Sequence, residues 1–302
     1  MIANTSAERH ASRVNDSARM IAARGERETT VARDTRVLLI GFGNMGQALA
    51  RGWLARGRAA SAIRVVDTAP GARSAAAALG IAASERVGTP QSGSVADVVV
   101  IAVKPNQLAA ALADLAPGAR GSVFLSIAAG KTLAQLEAGL GVGAAVVRAM
   151  PNTPAAIGQG ISALVANSAV MPAQRALCEE LLAAVGATAW LDDESDMDAV
   201  TAVSGSGPAY VFLMIECLAR AAVDAGLAPE LARRLALATV AGAGAYAAAA
   251  DEPAAELRRR VTSPGGTTQA ALEVLGAERG LGDLIARAVR AAAKRSRELS
   301  AV

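Results

Sequence analysis

The chain is predicted to be an α/β protein: an N-terminal doubly wound parallel sheet followed by an all-helical domain that dimerises. Three observations carry that prediction. Short apolar runs alternate with helical stretches between residues 37 and 150, as parallel strands joined by crossover helices do. The first run ends in the glycine-rich turn Gly41-Phe42-Gly43-Asn44-Met45-Gly46, which opens the first helix. Beyond residue 196 the strand signal stops and long apolar helices follow. At 302 residues the chain is long for one domain, so two compact units are expected.

Residues 1–35 are polar and charged without a hydrophobic period, which predicts a disordered extension. Val37-Leu38-Leu39-Ile40 is the first strand, and the helix over 44–56 stops at Gly57. Residues 63–67 form a second strand and 97–103 a third, continuously apolar as a buried parallel strand should be. Strands over 122–127 and 146–150 flank a helix over 133–140. Together these bound a dinucleotide-binding domain over 36–196. Helices follow over 210–226 and 229–250, with Pro229 suited to a first helical turn. Gly265-Gly266 breaks the chain before a helix from 267, and a last helix starts near 282. Several of these helices are apolar on most faces and must be covered on most sides. The helical domain over 197–302 has too little interior for that, so an intertwined dimer is predicted.

Composition narrows the partners. Hydrophobic residues make up 53% of the chain but aromatic residues only 2%, so the core must be built from Ala, Val, Leu and Ile. A net charge of +3, with arginines set beside acids and few rings to stack bases, excludes a nucleic-acid role. Cys178 and Cys217 lie in apolar helical contexts with no CxxC pairing, as buried thiols in a reducing compartment would. No metal site is expected. The longest bland run, 235–250, is mostly Ala and Gly and too weakly apolar to span a bilayer, and the N-terminus has no signal core. A cytoplasmic protein without membrane contact is expected.

The turn at 41–46 is GxGxxG where a Rossmann-type fold needs it, between a strand and a helix. Gly41 permits the tight turn, Gly43 lets the backbone approach a pyrophosphate, and Gly46 brings helix and strand together. The helix start offers unpaired N–H groups to the phosphates. Asp67 closes the second strand, placed either to bond a ribose 2′-hydroxyl, which favours NADH, or to cap a turn. Arg73 close by suits a 2′-phosphate instead. Ala102-Val103-Lys104-Pro105 follows the third strand at the edge where such sheets bind ligands, and Lys104 is either a cofactor contact or a solvated loop lysine. Val261-Thr262-Ser263-Pro264-Gly265-Gly266-Thr267-Thr268 puts glycines and hydroxyls at a helix start. That is either a small-anion site or an ordinary capping turn.

Taken together, residues 41–46 and 102–105, Met150-Pro151-Asn152-Thr153-Pro154, Ser204-Gly205-Ser206-Gly207-Pro208-Ala209-Tyr210 and residues 261–268 resemble the pyrroline-5-carboxylate reductases. The resemblance covers essentially all of the chain after residue 36, and its last two motifs are specific in order and spacing. It implies reduction of pyrroline-5-carboxylate, a cyclic imine carboxylate, to L-proline by NADPH or NADH, the last step of proline biosynthesis. It also implies a helical domain that forms a homodimer, itself assembled into a larger homo-oligomer. Thr268 is implied to bond the ring nitrogen, and Ser263, Gly265, Gly266 and Thr267 to hold the carboxylate. Gly41, Phe42, Gly43, Asn44, Met45, Gly46, Asp67, Ala102, Val103, Lys104, Pro105 and Asn152 are expected on the cofactor. Asn152 and Pro154 are implied to lie near the nicotinamide, with 204–208 shaping the pocket. Asp67 stands where a strictly NADPH-dependent member carries a polar or basic residue, and Arg258-Arg259-Arg260 makes the approach to the last motif unusually basic.

What is missing fits the same chemistry. Oxidation of a hydroxyl needs a base, usually His, Lys or a carboxylate. The one histidine is His10, outside the folded body, and no lysine lies between Lys131 and Lys294. A protonated cyclic imine already has an electrophilic carbon, so placement is the main requirement. A hydroxyacid dehydrogenase with the same glycine turn is the alternative enzyme, and it predicts a catalytic lysine that the helical domain lacks. A dinucleotide-binding scaffold without turnover predicts a degraded loop at 263–268, and that loop is intact.

Overall fold

The computed structural model describes residues 35–87, 96–115 and 121–300. Apart from Thr35, the extension expected over 1–35 lies outside the described residues, and so does His10. The chain divides into two compact units. The first runs to Ala149 and resumes over Ala155–Trp190; the second takes Met150–Pro154 and the chain from Leu191 onward.

The first unit holds β1 (Val37–Ile40), α1 (Asn44–Ala55), β2 (Ile63–Val66), α2 (Pro70–Ala77), β3 (Ala82–Ser84), β4 (Val98–Ile101), α3 (Leu108–Leu115), β5 (Val123–Ser126), α4 (Leu133–Leu140), β6 (Ala145–Met150), β7 (Gly160–Ala166), α5 (Pro172–Ala183) and β8 (Gly186–Trp190). The strands form one sheet in the order β3-β2-β1-β4-β5-β6-β7-β8. Parallel pairing joins β3 to β2, β2 to β1, β1 to β4, β4 to β5 and β5 to β6. The order turns back between β1 and β4, which makes the carboxyl ends of those two strands the ligand-binding edge of a doubly wound sheet.

Strand alternation divides the core into two layers. Val37, Leu39, Val65, Val98, Val100 and Leu125 face one side, where Leu49 and Trp53 of α1 meet Leu181 and Leu182 of α5. Leu38, Ile40, Val99, Ile101 and Phe124 face the other, under Leu108 and Leu112 of α3 and Leu136 of α4. Because both faces are covered, β1, β4 and β5 bury every residue, which is why they read as unbroken apolar runs. Trp53 adds a directional tie: its Nε1 donates to the Leu181 carbonyl at 2.8 Å. The expected stop of α1 is a Schellman end. Gly57 has φ +87°, its N–H reaches the Leu54 carbonyl, and the Arg58 N–H reaches that of Trp53.

Sequence reading did not anticipate β3, β7, β8, α2, α3 or α5. Ala82-Ala83-Ser84 and Gly186-Ala187-Thr188-Ala189-Trp190 carry little strand propensity, and both become strands by pairing with β2 and β7. The third strand is shorter than the 97–103 expected. Asp97 sits just before it, its Oδ2 accepting from the Arg36 N–H at 2.8 Å, and the chain turns away at Ala102.

The second unit, from Leu191 onward, is helical throughout as expected. It comprises α6 (Met197–Val200), a π turn (Thr201–Gly205), α7 (Gly207–Asp224), α8 (Pro229–Ala249), α9 (Ala254–Arg260), α10 (Thr267–Leu275) and α11 (Leu281–Ser300). Pro229 occupies the first turn of α8. Helix α7 buries none of its residues within the chain, and Phe212 and Leu213 are each 57% exposed. The run Glu194–Asp224 is long and apolar enough to cross a membrane by length and composition. That corrects the expectation that no stretch qualifies, because only 235–250 was weighed there. The run qualifies because α7 continues directly from the preceding turns.

Cys217, expected to be buried, is instead exposed on α7, because that helix has no cover within the chain. The thiol of Cys178 lies fully buried under the sheet, and burial pushes its pKa up to about 12. At pH 8 only about one such thiol in ten thousand is the reactive thiolate. In a Cys217→Ser protein, a thiol-specific reagent at pH 8 should therefore label Cys178 only after denaturant is added. Rapid labelling of the folded protein would contradict the packing described.

Candidate active site

The glycine turn sits where β1 and β4 come together. The Gly41 backbone, at φ +93°, lies so close to the chain leaving β4 that a Cβ there would be 2.7 Å from the Ala102 carbonyl oxygen. A Cβ on Gly46 would collide with the Gly41 carbonyl, so that glycine seats α1 against the turn. Gly43 differs: nothing lies within 4 Å of where its Cβ would be, so the space in front of it is open. Gly43 is also the N-cap of α1, and no side chain caps the helix. Free N–H groups, open space and the positive end of a 12-residue helix suit a pyrophosphate.

Around this turn the other expected cofactor residues gather unequally. Phe42 buries its ring in the core, and its N–H donates to Asp67 Oδ2 at 2.7 Å. Asp67 Oδ1 accepts from the Ala69 N–H at 2.8 Å, so the carboxylate ties the end of β2 to the glycine turn. A carboxylate has further lone pairs to offer a hydroxyl. Arg73 Nη1 donates to the carbonyls of Asp67 and Thr68 at 2.9 and 2.8 Å, which fixes a guanidinium beside the same strand end. Asn44 is exposed and Met45 half-buried. Val103 is half-buried, whereas Lys104 and Pro105 are exposed where the chain leaves β4. The tie from Asp67 to Phe42 was not readable beforehand, because the two residues are 25 apart and meet only through the sheet.

In the second unit, Ser263-Pro264-Gly265-Gly266 is a tight turn. The Gly266 N–H donates to the Ser263 carbonyl at 3.0 Å, with Pro264 second and Gly265 third at φ +70°, the pattern of a type II turn. The Gly265 N–H is taken by Gln269 Oε1 at 2.8 Å. Gly266 is the N-cap of α10, again with no side-chain cap. An ordinary capping turn would use Ser263, Thr267 or Thr268 to satisfy those N–H groups, and none does. Thr268 is half-buried, and its hydroxyl has no hydrogen-bond partner among the described residues. The three arginines before the turn are partly neutralised: Arg259 pairs with Glu256, and Arg260 with Glu252 at 2.6 Å.

Two further motifs meet within this unit. Asn152 Nδ2 donates to the Ser204 carbonyl at 3.2 Å, and Gly205 lies against the end of the Met150 side chain. Pro154 lies in the turn Thr153–Ile157 directly after Asn152. Among the described residues no group of His, Cys, Asp and Glu could hold a metal ion.

Comparison with known proteins adds two family matches. Residues 194–299 match the model for pyrroline-5-carboxylate reductase dimerisation, and residues 36–130 that for NADP oxidoreductase, coenzyme F420-dependent. The pyrroline-5-carboxylate reductase of Pseudomonas aeruginosa is 46% identical over 267 residues, which is 88% of this chain and 97% of that protein. The solved pyrroline-5-carboxylate reductase of Coxiella burnetii is 36% identical with a TM-score of 0.82, covering 88% of this chain and 99% of the other. A pyrroline carboxylate reductase of Plasmodium falciparum, solved with NADP bound, has a TM-score of 0.76 at 28% identity, covering 89% and 99%.

The glycines can be told apart by experiment. Gly43→Ala meets open space at φ −71°, so its melting temperature should match the parent while NADPH binds about tenfold more weakly. Gly46→Ala should instead cost about 1–3 kcal/mol of stability. Fluorescence titration and thermal melts read both, and equal NADPH affinity in Gly43→Ala would remove the turn from the cofactor site.

Proposed function

Since the chain belongs to the pyrroline-5-carboxylate reductase family, we propose that residues 41–46 hold the dinucleotide and residues 263–268 the imino acid in the reaction of that family. The reaction is reduction of 1-pyrroline-5-carboxylate to L-proline with NAD(P)H, the last step of proline biosynthesis. When bound, the reduced nicotinamide supplies the hydride. The work is divided between a dinucleotide domain over 36–196 and a substrate and dimerisation domain over 197–302.

The observation that carries the substrate assignment is the uncapped start of α10. Free N–H groups at 267 and 268 and the hydroxyls of Ser263 and Thr267 match a carboxylate in charge and size. Thr268 is then left to accept from the ring N–H. The substrate arrives with that nitrogen protonated, so its carbon is already electrophilic. Hydride fills the C=N carbon, the nitrogen keeps its proton, and no side-chain acid is consumed. Holding the ring in line is the main demand on the protein, and alignment of this kind removes several kcal/mol of barrier, up to about 7–11 in well-oriented systems. Asn152 and Pro154 serve the nicotinamide end, Ala102, Val103, Lys104 and Pro105 line the cofactor edge of the sheet, and Asp67 or Arg73 meets the adenosine ribose.

The homo-oligomer rests on the dimerisation match over 194–299 and on the apolar surface of α7, which the chain by itself leaves uncovered. We place that surface against a second copy rather than a lipid bilayer, in a cytoplasmic enzyme whose dimers assemble further and which binds no nucleic acid.

With pyrroline-5-carboxylate present, the protein should oxidise NADPH or NADH, followed by loss of the reduced cofactor's absorbance. Thr268→Ala should lower kcat about ten- to a hundredfold, the worth of a hydrogen bond to a charged group, with cofactor affinity unchanged. Wild-type turnover in Thr268→Ala would remove its role. Binding of both cofactors without oxidation of either would overturn the reductase reading.

A further inference from the structure

We propose that Tyr210 is a positioning residue for the reduction, acting through the π turn to hold the Asn152 carboxamide. The proposal rests on the reading of Asn152 given above.

The turn at Thr201–Gly205 is one residue wider than an α-helix: the Ser206 N–H reaches back to the Thr201 carbonyl at 2.8 Å, five residues away. Widening a helix takes carbonyls out of the i to i+4 ladder, and each needs another donor when shielded from water. The Ala202 carbonyl loses the Ser206 N–H in this way, the Ser204 carbonyl lacks a ladder donor because residue 208 is proline, and both are taken by side chains. The Tyr210 hydroxyl donates to Ala202 at 3.0 Å, and Asn152 Nδ2 donates to Ser204 at 3.2 Å. Thr201 and Ser204 add hydroxyl bonds back to the carbonyls of Met197 and Val200, at 2.8 and 3.0 Å. From below, Ser296 of α11 donates to Asp198 Oδ1 at 2.6 Å. The turn is thus gripped at both ends.

Two consequences follow for a side chain at 152. An amide whose Nδ2 is committed to Ser204 has its plane fixed. The position of the Ser204 carbonyl depends on the bulge staying at 201–205, and the Tyr210 hydroxyl bonds a carbonyl within that bulge. Gly205 suits the same arrangement, because a Cβ there would be 2.5 Å from the Met150 side-chain terminus, two residues from Asn152. A helix that relaxed to the α form would return the Ser206 N–H to the Ala202 carbonyl and shift the Ser204 carbonyl away from Asn152, although Pro208 gives that carbonyl no ladder donor in either form. Single π turns inside helices recur at functional sites.

The test is a double-mutant cycle in the full-length protein. Tyr210→Phe removes one hydroxyl and keeps the ring. We expect kcat for pyrroline-5-carboxylate to fall about fivefold, the worth of one neutral hydrogen bond, with NADPH affinity unchanged and the melting temperature lowered by only a few degrees. Asn152→Ala should lower kcat further, and the double variant should match Asn152→Ala alone, because the hydroxyl acts only through that amide. Additive losses, or parental kcat in Tyr210→Phe, overturn the proposal. So does a Tyr210→Phe protein that melts early and loses cofactor affinity along with turnover, which would make the hydroxyl a general structural bond. Failure of the reductase reading itself is distinct, since the parent protein would then not turn over the imine.

Discussion

The dinucleotide end of this molecule depends on how closely two strands leave the sheet. At the point where the strand order turns back, the Gly41 backbone lies against the Ala102 carbonyl with no room for a side chain between them. That contact sets the other features. A positive φ at Gly41 turns the chain into α1, and Gly46 lets α1 start directly over the turn. Gly43 then faces open space at an uncapped helix start. The carboxylate of Asp67 fastens the turn to β2 through the Phe42 N–H. These features follow from one steric fact and from the sheet that holds it, whose paired strands are packed on both faces.

The helical unit uses the same physics with different chemistry. Gly265 and Gly266 shape the turn before α10, a helix whose first N–H groups no side chain caps. A helix start left bare is poised for an anion, and neighbouring hydroxyls give it direction without a titrating group. This suits reduction of a protonated imine, in which hydride transfer needs alignment more than proton transfer. The same unit leaves α7 apolar and uncovered within the chain, in the stretch that matches the dimerisation model.

Much of this was legible in the sequence. The glycine turn, the apolar strands β1, β4 and β5, and the switch to helices after residue 196 each carry a local signal that survives folding. The glycine- and hydroxyl-rich loop at 261–268 was legible as composition, although only the structure separates a capping turn from a bare helix start. Other features have no local signal. The strands β3 and β8 are alanine-rich and owe their state to neighbours. The bonds from Asp67 to Phe42 and from Asn152 to Ser204 join residues 25 and 52 apart, and no periodicity encodes them. A π turn also leaves no mark that distinguishes Thr201-Ala202-Val203-Ser204-Gly205 from an ordinary helical stretch.

The placement of the dinucleotide at the turn between β1 and α1 is the claim from which the rest of the account proceeds. A crystal structure of the protein with NADPH tests it most directly. The account predicts the pyrophosphate against the backbone N–H groups at the start of α1, in front of Gly43. A pyrophosphate bound elsewhere, with that turn facing only solvent, would contradict it.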